Sequence, residues 1–196
     1  MKNHFIRLIL SPSIAINKFS WYIEKKHLLF VGKSVSFGRF FEIKGHEFIS
    51  IGDNVSAKNY LKLHAWNRYK KQIFKKNPNL EIGSNVSFGD NCYLTCANQI
   101  IVEDNVLIGD NVFITDNYHG RNSLDEVSIA PSDREIWSKG EVRIETNVWL
   151  GRNVCVMPGV TIGHGSVIGA NSVVTKNIPA RCIAAGSPAK VIRKIE

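Results

Sequence analysis

The sequence has no uninterrupted apolar run close to the roughly 20 residues that a membrane-spanning helix needs. The apolar bursts within residues 1–26 are broken by Arg7, Pro12 and Lys18, and no small-residue cleavage site follows them. We therefore expect neither a membrane span nor a secretory signal. Low-complexity linkers are also missing, since the 6 Pro and 15 Gly are dispersed, and this favours a single folded domain.

Cysteine is scarce in this chain of 196 residues. The four cysteines are Cys92, Cys96, Cys155 and Cys182. Their spacing matches neither a zinc site nor the disulfide framework of a small secreted protein. We expect Cys92 to be a buried, reduced thiol and the protein to be cytoplasmic.

The net positive charge of the protein comes from the first part of the chain. Residues 1–80 carry 15 Lys and Arg against 4 Asp and Glu, a net charge of +11, whereas residues 81–196 carry 10 against 13, a net charge of −3. Basic residues also alternate with aromatic ones in residues 58–80, as they do in surfaces that bind nucleic acid or anionic lipid. One short patch without a nucleic-acid-binding fold does not make such a site, so we expect a solvated surface excursion and no nucleic-acid partner.

What the sequence has in abundance is a repeat of six residues. The repeated aliphatic residues are Ile144, Leu150, Val156, Ile162, Ile168 and Val174, and the residues three positions later are Asn147, Asn153, Gly159, Gly165, Asn171 and Asn177. A period of six fits neither an α-helix nor a simple strand. Because Asn and Gly accept the left-handed conformation of a corner, each unit is a short strand with one inward side chain, followed by a turn. Three units close one triangular coil, so the pattern predicts an all-β solenoid over residues 31–196.

Two interruptions break the repeat. The spacing is lost over residues 58–80 and again between Ile114 and Ile144, where the gap of thirty residues equals five units. A multiple of six preserves the phase, so we expect a long loop, residues 115–143, to project from an uninterrupted solenoid. Long loops within compact domains are usually functional. Of the six histidines, His119 alone lies where coil becomes loop.

Residues 1–30 stand outside the repeat. Solenoids need a cap over their open end, and this segment is predicted to supply one. The alternative is an amphipathic segment that contacts a membrane surface.

Several motifs resemble those of a known family. They are Ile-Gly-Asp-Asn-Val at 108–112, His119 in the loop, Val-Trp-Leu-Gly at 148–151, the run at 156–163, Val-Val-Thr-Lys at 173–176 and the segment 185–193. They resemble the hexapeptide-repeat acyltransferases, and among these the maltose, galactoside and polysaccharide O-acetyltransferases. The resemblance implies a left-handed parallel β-helix with an N-terminal cap segment and an extended loop, assembled as a homotrimer with active sites between subunits. The left hand comes from the family alone, because the usual crossover preference is right-handed.

The resemblance implies acetyl-CoA-dependent O-acetylation of a sugar hydroxyl, with His119 as general base. A sugar hydroxyl is a poor nucleophile at neutral pH, and an imidazole titrates near pH 6.5, so it can accept the proton during attack. Backbone N–H groups suit the oxyanion that develops on the thioester carbonyl. Asp116 is a candidate to orient His119, a task that backbone carbonyls also perform.

The resemblance also assigns residues to the acyl donor. These are Trp149, Gly151, Arg152, Ala170, Thr175, Lys176, Lys190 and Arg193. Pantetheine is expected to run along an outer groove past Gly151, Arg152 and Ala170. The cations Lys176, Lys190 and Arg193 stand late in an otherwise acidic half and suit phosphates. Ordinary packing is the alternative for Trp149 and Ala170.

The acceptor side departs from the family. The small-sugar enzymes have an asparagine thirty residues before the histidine, and here that position is Gly89. We expect acceptor contacts from Asp90, Asn91, Tyr118, Arg121 and Trp137. The basic first third favours a larger or lipid-linked saccharide, such as a precursor in surface polysaccharide biosynthesis (O-antigen or capsule), at the inner membrane face.

Three other functions compete with this one. A carbonic anhydrase of this fold needs three zinc-binding histidines, two of them close in sequence, but the next histidine after His119 is His164, so we expect no metal. A nucleotide-sugar N-acetyltransferase would use the same donor and base on an amine. A non-catalytic trimeric solenoid scaffold is the alternative from another class.

Overall fold

The computed structural model describes residues 12–121 and 123–196, so the expectations for residues 1–11 lie outside the described residues. Helix α1 spans Pro12–Glu24. The strands are β1 Phe30–Val31, β2 Ser36–Phe37, β3 Glu42–Lys44, β4 Ile49–Ile51, β5 Ser56–Ala57, β6 Lys62–Ala65, β7 Arg68–Tyr69, β8 Gln72–Ile73, β9 Asn79–Ile82, β10 Ser87–Phe88, β11 Tyr93–Cys96, β12 Gln99–Val102, β13 Leu107–Ile108, β14 Phe113–Thr115, β15 Tyr118–His119, β16 Ile136–Trp137, β17 Val142–Ile144, β18 Trp149–Leu150, β19 Cys155–Val156, β20 Thr161–Ile162, β21 Val167–Ile168, β22 Val173–Val174, β23 Cys182–Gly186 and β24 Ala189–Lys194. Short 3₁₀ turns lie at His46–Phe48, Leu124–Glu126 and Pro131–Asp133.

Most of these strands form three parallel sheets around one core. Sheet A has the order β1-β4-β9-β12-β17-β20, sheet B the order β2-β5-β10-β13-β18-β21-β23-β24, and sheet C the order β22-β19-β14-β11-β6-β3. Each coil of the chain contributes one short strand to A, then to B, then to C, so strands pair with the coil before and the coil after. The solenoid prediction is confirmed. At its far end β24 turns back antiparallel to β23 and forms the edge of sheet B.

The inward side chains stack in three ladders. Sheet A stacks Val31, Ile51, Ile82, Val102, Ile144 and Ile162; sheet B stacks Phe37, Ala57, Phe88, Ile108, Leu150, Ile168 and Ala184; sheet C stacks Ile43, Leu63, Leu94, Ile114, Val156 and Val174. Nearly all of them are buried. Val102 pairs in register with Ile144, so the thirty-residue interruption does preserve the phase. Each rung removes apolar surface from water only because its neighbours cover it.

The corners use the left-handed conformation, as the repeat predicts. Positive φ angles occur at Asn54, Asn85, Asn91, Asn105, Asn111, Asn147, Asn153, Asn171, Gly159 and Gly165. The same three-residue spacing after Ile114 and Val174 also predicts corners at Asn117 and Asn177, and there the prediction was wrong, since neither is among the positive-φ residues. Asn117 begins the long loop, and the Asn177 side chain accepts a hydrogen bond from the Thr161 backbone N–H at 2.8 Å. Conversely, Phe40 and Tyr60 adopt the left-handed conformation, with their rings stacked 5.1 Å apart.

Helix α1 lies against the first coil. The Trp21 ring contacts Phe37 and Phe41, with centroids 4.5 and 6.0 Å away, and its indole N–H donates to the Val35 carbonyl at 3.1 Å. The Asn17 amide donates to the Phe37 carbonyl at 2.9 Å. These contacts cover the end of the sheet B ladder.

Both interruptions leave the solenoid at the same corner, between sheet C and sheet A. The first contains the antiparallel pair β7–β8, and residues 66–78 are called the hairpin arm below. The second is the long loop, whose antiparallel pair is β15–β16. It departs after Thr115 in β14 and returns at Val142 in β17. Because the two excursions emerge at one corner, from coils with a single coil between them (β6, β11 and β14 are successive strands of sheet C), they are brought side by side.

Candidate functional site

A groove of about 670 Å³ runs along the outer face of sheet B and its corner toward sheet C. Its walls come from β5, β10, β13, β18 and β21 and from the residues that follow these strands. Four of the predicted donor-binding residues line it, namely Trp149, Gly151, Arg152 and Ala170. The structure therefore brings these four together, although they come from two successive coils.

Glycine keeps the floor of this groove open. Gly89, Gly109, Gly151 and Gly169 lie on successive coils of the groove. A Cβ atom at Gly151 would lie 2.7 Å from the Ala170 backbone nitrogen, and one at Gly109 would lie 2.8 Å from that of Arg152. Stacking of the coils thus requires glycine here, and backbone rather than side chains lines this part of the groove.

One end of the groove carries a small charged cluster. The Lys58 ammonium lies 3.5 Å from an Asp110 carboxylate oxygen and 3.9 Å from one of Asp90. The Asp90 backbone N–H donates to Asp110 at 2.9 Å, and this bond, assisted by Lys58, lowers the pKa of Asp110. Asp90 in turn accepts the Asn59 backbone N–H at 2.9 Å. Asp90, one of the residues predicted to contact the acceptor saccharide, therefore lies beside the groove and is already hydrogen-bonded to a neighbouring coil.

The other predicted donor-binding residues lie outside the groove. Thr175 and Lys176 follow β22 of sheet C, and both are exposed. Lys190 and Arg193 are exposed on β24, the edge strand of sheet B. Since β24 is two strands from β21, which lines the groove, these two cations extend the sheet that forms it.

His119 lies elsewhere, at the start of the long loop. It is exposed and pairs with Ile136 across the two short strands β15 and β16. Its ring meets the Tyr69 ring of the hairpin arm nearly edge-on, with centroids 5.2 Å apart and planes at 72°. Sequence reasoning missed Tyr69: the aromatic and basic residues of this segment marked a surface, but nothing in the sequence paired it with the loop.

Asp116 does not meet His119 in this structure. Its carboxylate is fully buried and accepts the backbone N–H groups of Ala97 and Asn98, each at 2.8 Å, and the Asn117 amide at 3.0 Å. No hydrogen bond among the described residues joins Asp116 to His119. The carboxylate instead holds the turn between β11 and β12, so the predicted orienting role has no contact to act through.

The predicted acceptor residues fall into two groups. Tyr118 and Trp137 face each other across β15–β16 with their rings stacked at 6.3 Å, and burial raises the pKa of Tyr118. Trp137 and Arg121 line a second cavity of about 600 Å³ between the long loop and the hairpin arm. Asp90 and Asn91 lie instead at the corner between sheets B and C. The Asn91 amide donates to Asn111 at 3.1 Å in a ladder of corner asparagines.

The groove and His119 therefore occupy different corners of one chain. The groove follows sheet B to the corner with sheet C, whereas the long loop leaves from the corner between sheets C and A. Within the described part of the chain, no groove-lining residue belongs to the long loop. One copy of the chain does not bring His119, the predicted base, and the four predicted donor-binding residues into one cavity.

Three further properties of the chain concern metal binding, membrane-spanning helices and thiol chemistry. Across residues 12–121 and 123–196, no three His, Cys, Asp or Glu side chains are grouped so that they could hold a metal ion. In the same residues, no helix has the length and apolar character needed to span a membrane. Cys92 is buried as predicted, and burial raises the pKa of its thiol to about 11, so it stays protonated at neutral pH.

Comparison with known proteins identifies the repeats. Residues 141–176 match the family described as bacterial transferase hexapeptide (six repeats), and residues 80–116 match the hexapeptide repeat of succinyl-transferase. The galactoside O-acetyltransferase of Escherichia coli K12 is 43% identical over 118 residues, which cover 58% of this chain and 56% of that protein. The chain thus spans about half the length of the curated relatives that it matches.

Solved structures share the fold. A galactoside acetyltransferase in complex with coenzyme A has a TM-score of 0.59 at 28% identity, covering 89% of this chain and 69% of that one. A variant of AntD, an N-acyltransferase from Bacillus cereus, in complex with dTDP and coenzyme A, has a TM-score of 0.72 at 24% identity, covering 89% of both chains. The chain is therefore a left-handed parallel β-helix of hexapeptide repeats, and its resemblance to the hexapeptide-repeat acyltransferases is confirmed.

Proposed function

We propose that this protein is an acyltransferase that moves the acetyl group of acetyl-CoA to a hydroxyl of a saccharide, with His119 as the general base. The observation that carries the proposal is the groove on sheet B. Trp149, Gly151, Arg152 and Ala170, the positions expected to hold the donor, meet there without any rearrangement of the chain.

The groove fits the long, narrow pantetheine arm of acetyl-CoA, which supplies the acetyl group as a thioester. Its glycines put no side chain into the groove, and the half-exposed side chains of Trp149 and Leu107 offer apolar walls. Lys190 and Arg193 continue the same sheet and suit the phosphates, because cations form charge-assisted hydrogen bonds with them. The galactoside acetyltransferase structure at 28% identity contains coenzyme A, which supports the same donor class here.

His119 is suited to accept the proton of the attacking hydroxyl. Its imidazole is exposed, and among the described residues no hydrogen bond occupies either ring nitrogen. Both nitrogens are therefore available to an acceptor, and a general base acts only within hydrogen-bond reach of the proton that it removes. The chemistry needs neither a covalent enzyme intermediate nor a metal.

We infer a homotrimer from the separation of the two halves of the site. If His119 and the groove lie at different corners of one chain, a productive site requires the long loop of one protomer to face the groove of the next. Closed cyclic symmetry repeats this heterologous contact at each interface.

We further propose a cytoplasmic protein whose acceptor is a lipid-linked saccharide of surface polysaccharide biosynthesis. The net charge of +11 in residues 1–80 supports attraction to an anionic inner membrane face. Exposed apolar side chains on α1, including Ile16 and Phe19, support peripheral contact with that surface.

The test of the reaction is release of thiol from acetyl-CoA with a panel of hydroxyl and amino saccharides. General-base catalysis typically contributes about 10²–10⁴-fold, so His119→Ala should lower acceptor-dependent release by that factor. His164→Ala is the matched control, because His164 is exposed in an ordinary repeat unit. It should keep full activity.

Each other outcome has a definite meaning. Equal rates in wild type and His119→Ala would remove His119 as the base. Release with amino sugars alone would make the enzyme an N-acetyltransferase. Failure to bind acetyl-CoA would favour the alternative of a non-catalytic solenoid scaffold.

A further inference from the structure

Few contacts hold the imidazole of His119 in place. It stands on a two-residue strand, is exposed to solvent, and makes no side-chain hydrogen bond among the described residues. The ring contact that the structure gives it is with Tyr69, 5.2 Å between centroids. Tyr69 lies fifty residues before His119 in the sequence. It belongs to the hairpin arm, which leaves the solenoid from an earlier coil than the long loop does.

The hairpin arm is fastened to the long loop by side chains on both of its strands. On β7, the Tyr69 hydroxyl donates to the Ser132 carbonyl at 3.0 Å. At the turn, the Lys70 ammonium lies 2.5 Å from the Asp133 carboxylate. On β8, the Gln72 amide donates to the Ile136 carbonyl at 3.0 Å and its carbonyl accepts the Ile136 N–H at 2.7 Å.

The Gln72 side chain contacts Ile136, which faces His119. Its carboxamide satisfies both backbone groups of Ile136, in the way that a neighbouring strand would. Ile136 is the residue that pairs with His119 across β15–β16. Gln72 therefore fixes the backbone facing the base, while Tyr69 contacts its ring.

We propose that Tyr69 is a positioning residue for the general base His119, and that the hairpin arm rather than the solenoid sets the direction of the imidazole. This inference rests on the proposed function of His119. Tyr69 does not exchange protons in this role, because its hydroxyl is engaged by Ser132, and the contact to His119 is made by the ring. The orientation of the imidazole matters because a misplacement of a catalytic group by about 1 Å can reduce a rate about 100-fold.

The experiment compares three variants with the wild type by steady-state kinetics, using acetyl-CoA and an active saccharide acceptor. Tyr69→Ala should lower kcat by about 10- to 100-fold, since the base loses its orientation. The KM for acetyl-CoA should change little, because Tyr69 contacts His119 and is not among the residues that line the groove. Tyr69→Phe keeps the ring and should retain most of kcat. Lys71→Ala, an exposed position at the same turn, should match wild type.

A double variant separates positioning from a general structural effect. In the His119→Ala background, Tyr69→Ala should cause no additional loss, because there is no imidazole left to orient. Wild-type kcat in Tyr69→Ala, or a full additional loss in the His119→Ala background, would overturn the inference. So would a loss in Tyr69→Phe as large as in Tyr69→Ala. Failure of the proposed function looks different, since His119→Ala alone would then keep its activity.

Discussion

At the residue scale, the corner asparagines do two things at once. Asn111 adopts a φ of 57° and its amide donates to Asn153 at 2.9 Å, while it accepts the Asn91 amide at 3.1 Å. The left-handed conformation brings the Cβ atom of most residues too close to the following carbonyl, and asparagine tolerates it better than most. The amide ladder then links each coil to the next along this corner.

These two roles can be separated by substitution at Asn111. Asn111→Gly loses the ladder bonds but keeps an easy left-handed corner, whereas Asn111→Ala loses both. Left-handed backbone costs an ordinary residue about 1–2 kcal/mol, so the alanine variant should show the larger fall in unfolding midpoint by chemical denaturation. Asn67→Ala, an exposed asparagine off the corners, is the control. Equal losses in the glycine and alanine variants would mean that the ladder alone matters.

At the element scale, helix α1 has two unlike faces. Trp21 packs inward on the first coil, whereas Ile16 and Phe19, each 65% exposed, and Ile23, 42% exposed, lie outward on one side at helical spacing. Lys26 follows at the end of the helix, with its ammonium 4.1 Å from the Tyr22 ring. An apolar face bordered by cations is typical of helices that lie on a membrane surface.

We expect the intact protein to co-sediment with anionic vesicles at low salt. The double variant Ile16→Ser with Phe19→Ser should bind less, because it removes apolar area from the outer face. Leu124→Ser is the matched control, since Leu124 is 93% exposed but lies in the long loop. If wild type stays in the supernatant at low salt, the helix serves the solenoid alone.

At the scale of the whole molecule, the separation of groove and base makes assembly testable by mixing two inactive proteins. His119→Ala keeps the groove intact, and Ala170→Trp should block the groove while keeping His119, because Ala170 is exposed on its wall. In the proposed homotrimer, each variant by itself should be inactive. Subunits mixed after dissociation and reassociation should regain part of the activity, since some interfaces then combine an intact groove with an intact base.

The reading of the mixing experiment is simple when oligomeric state is measured by light scattering. Recovered activity in a species of trimer mass supports sites shared between chains. No recovery despite confirmed mixed trimers, or full activity of a stable monomer, would mean that one chain contains the whole site.

Much of this structure follows from the sequence because a six-residue period leaves few choices. Ile144 and Ile162 had to point inward, and Asn153 had to take a corner, since each coil is built on the one before it. The same periodicity located His119 at the junction of coil and loop. The motif resemblance then marked the four residues that line the groove. Asn117 and Asn177 did not form the predicted corners, and Phe40 and Tyr60 adopt the left-handed conformation without being Asn or Gly.

What only the tertiary structure decided concerns contacts between residues far apart in the chain. Asp116 stands three residues before His119 in the sequence. Its carboxylate nevertheless accepts hydrogen bonds from backbone N–H groups of the preceding coil, at Ala97 and Asn98. Gln72 reaches Ile136 across 64 residues. The sequence marks both excursions as departures from the repeat, but their meeting depends on their leaving stacked coils at one corner. The repeat predicts that the coils stack, but the contacts between the two irregular excursions, which no local pattern encodes, are what bring the hairpin arm to His119.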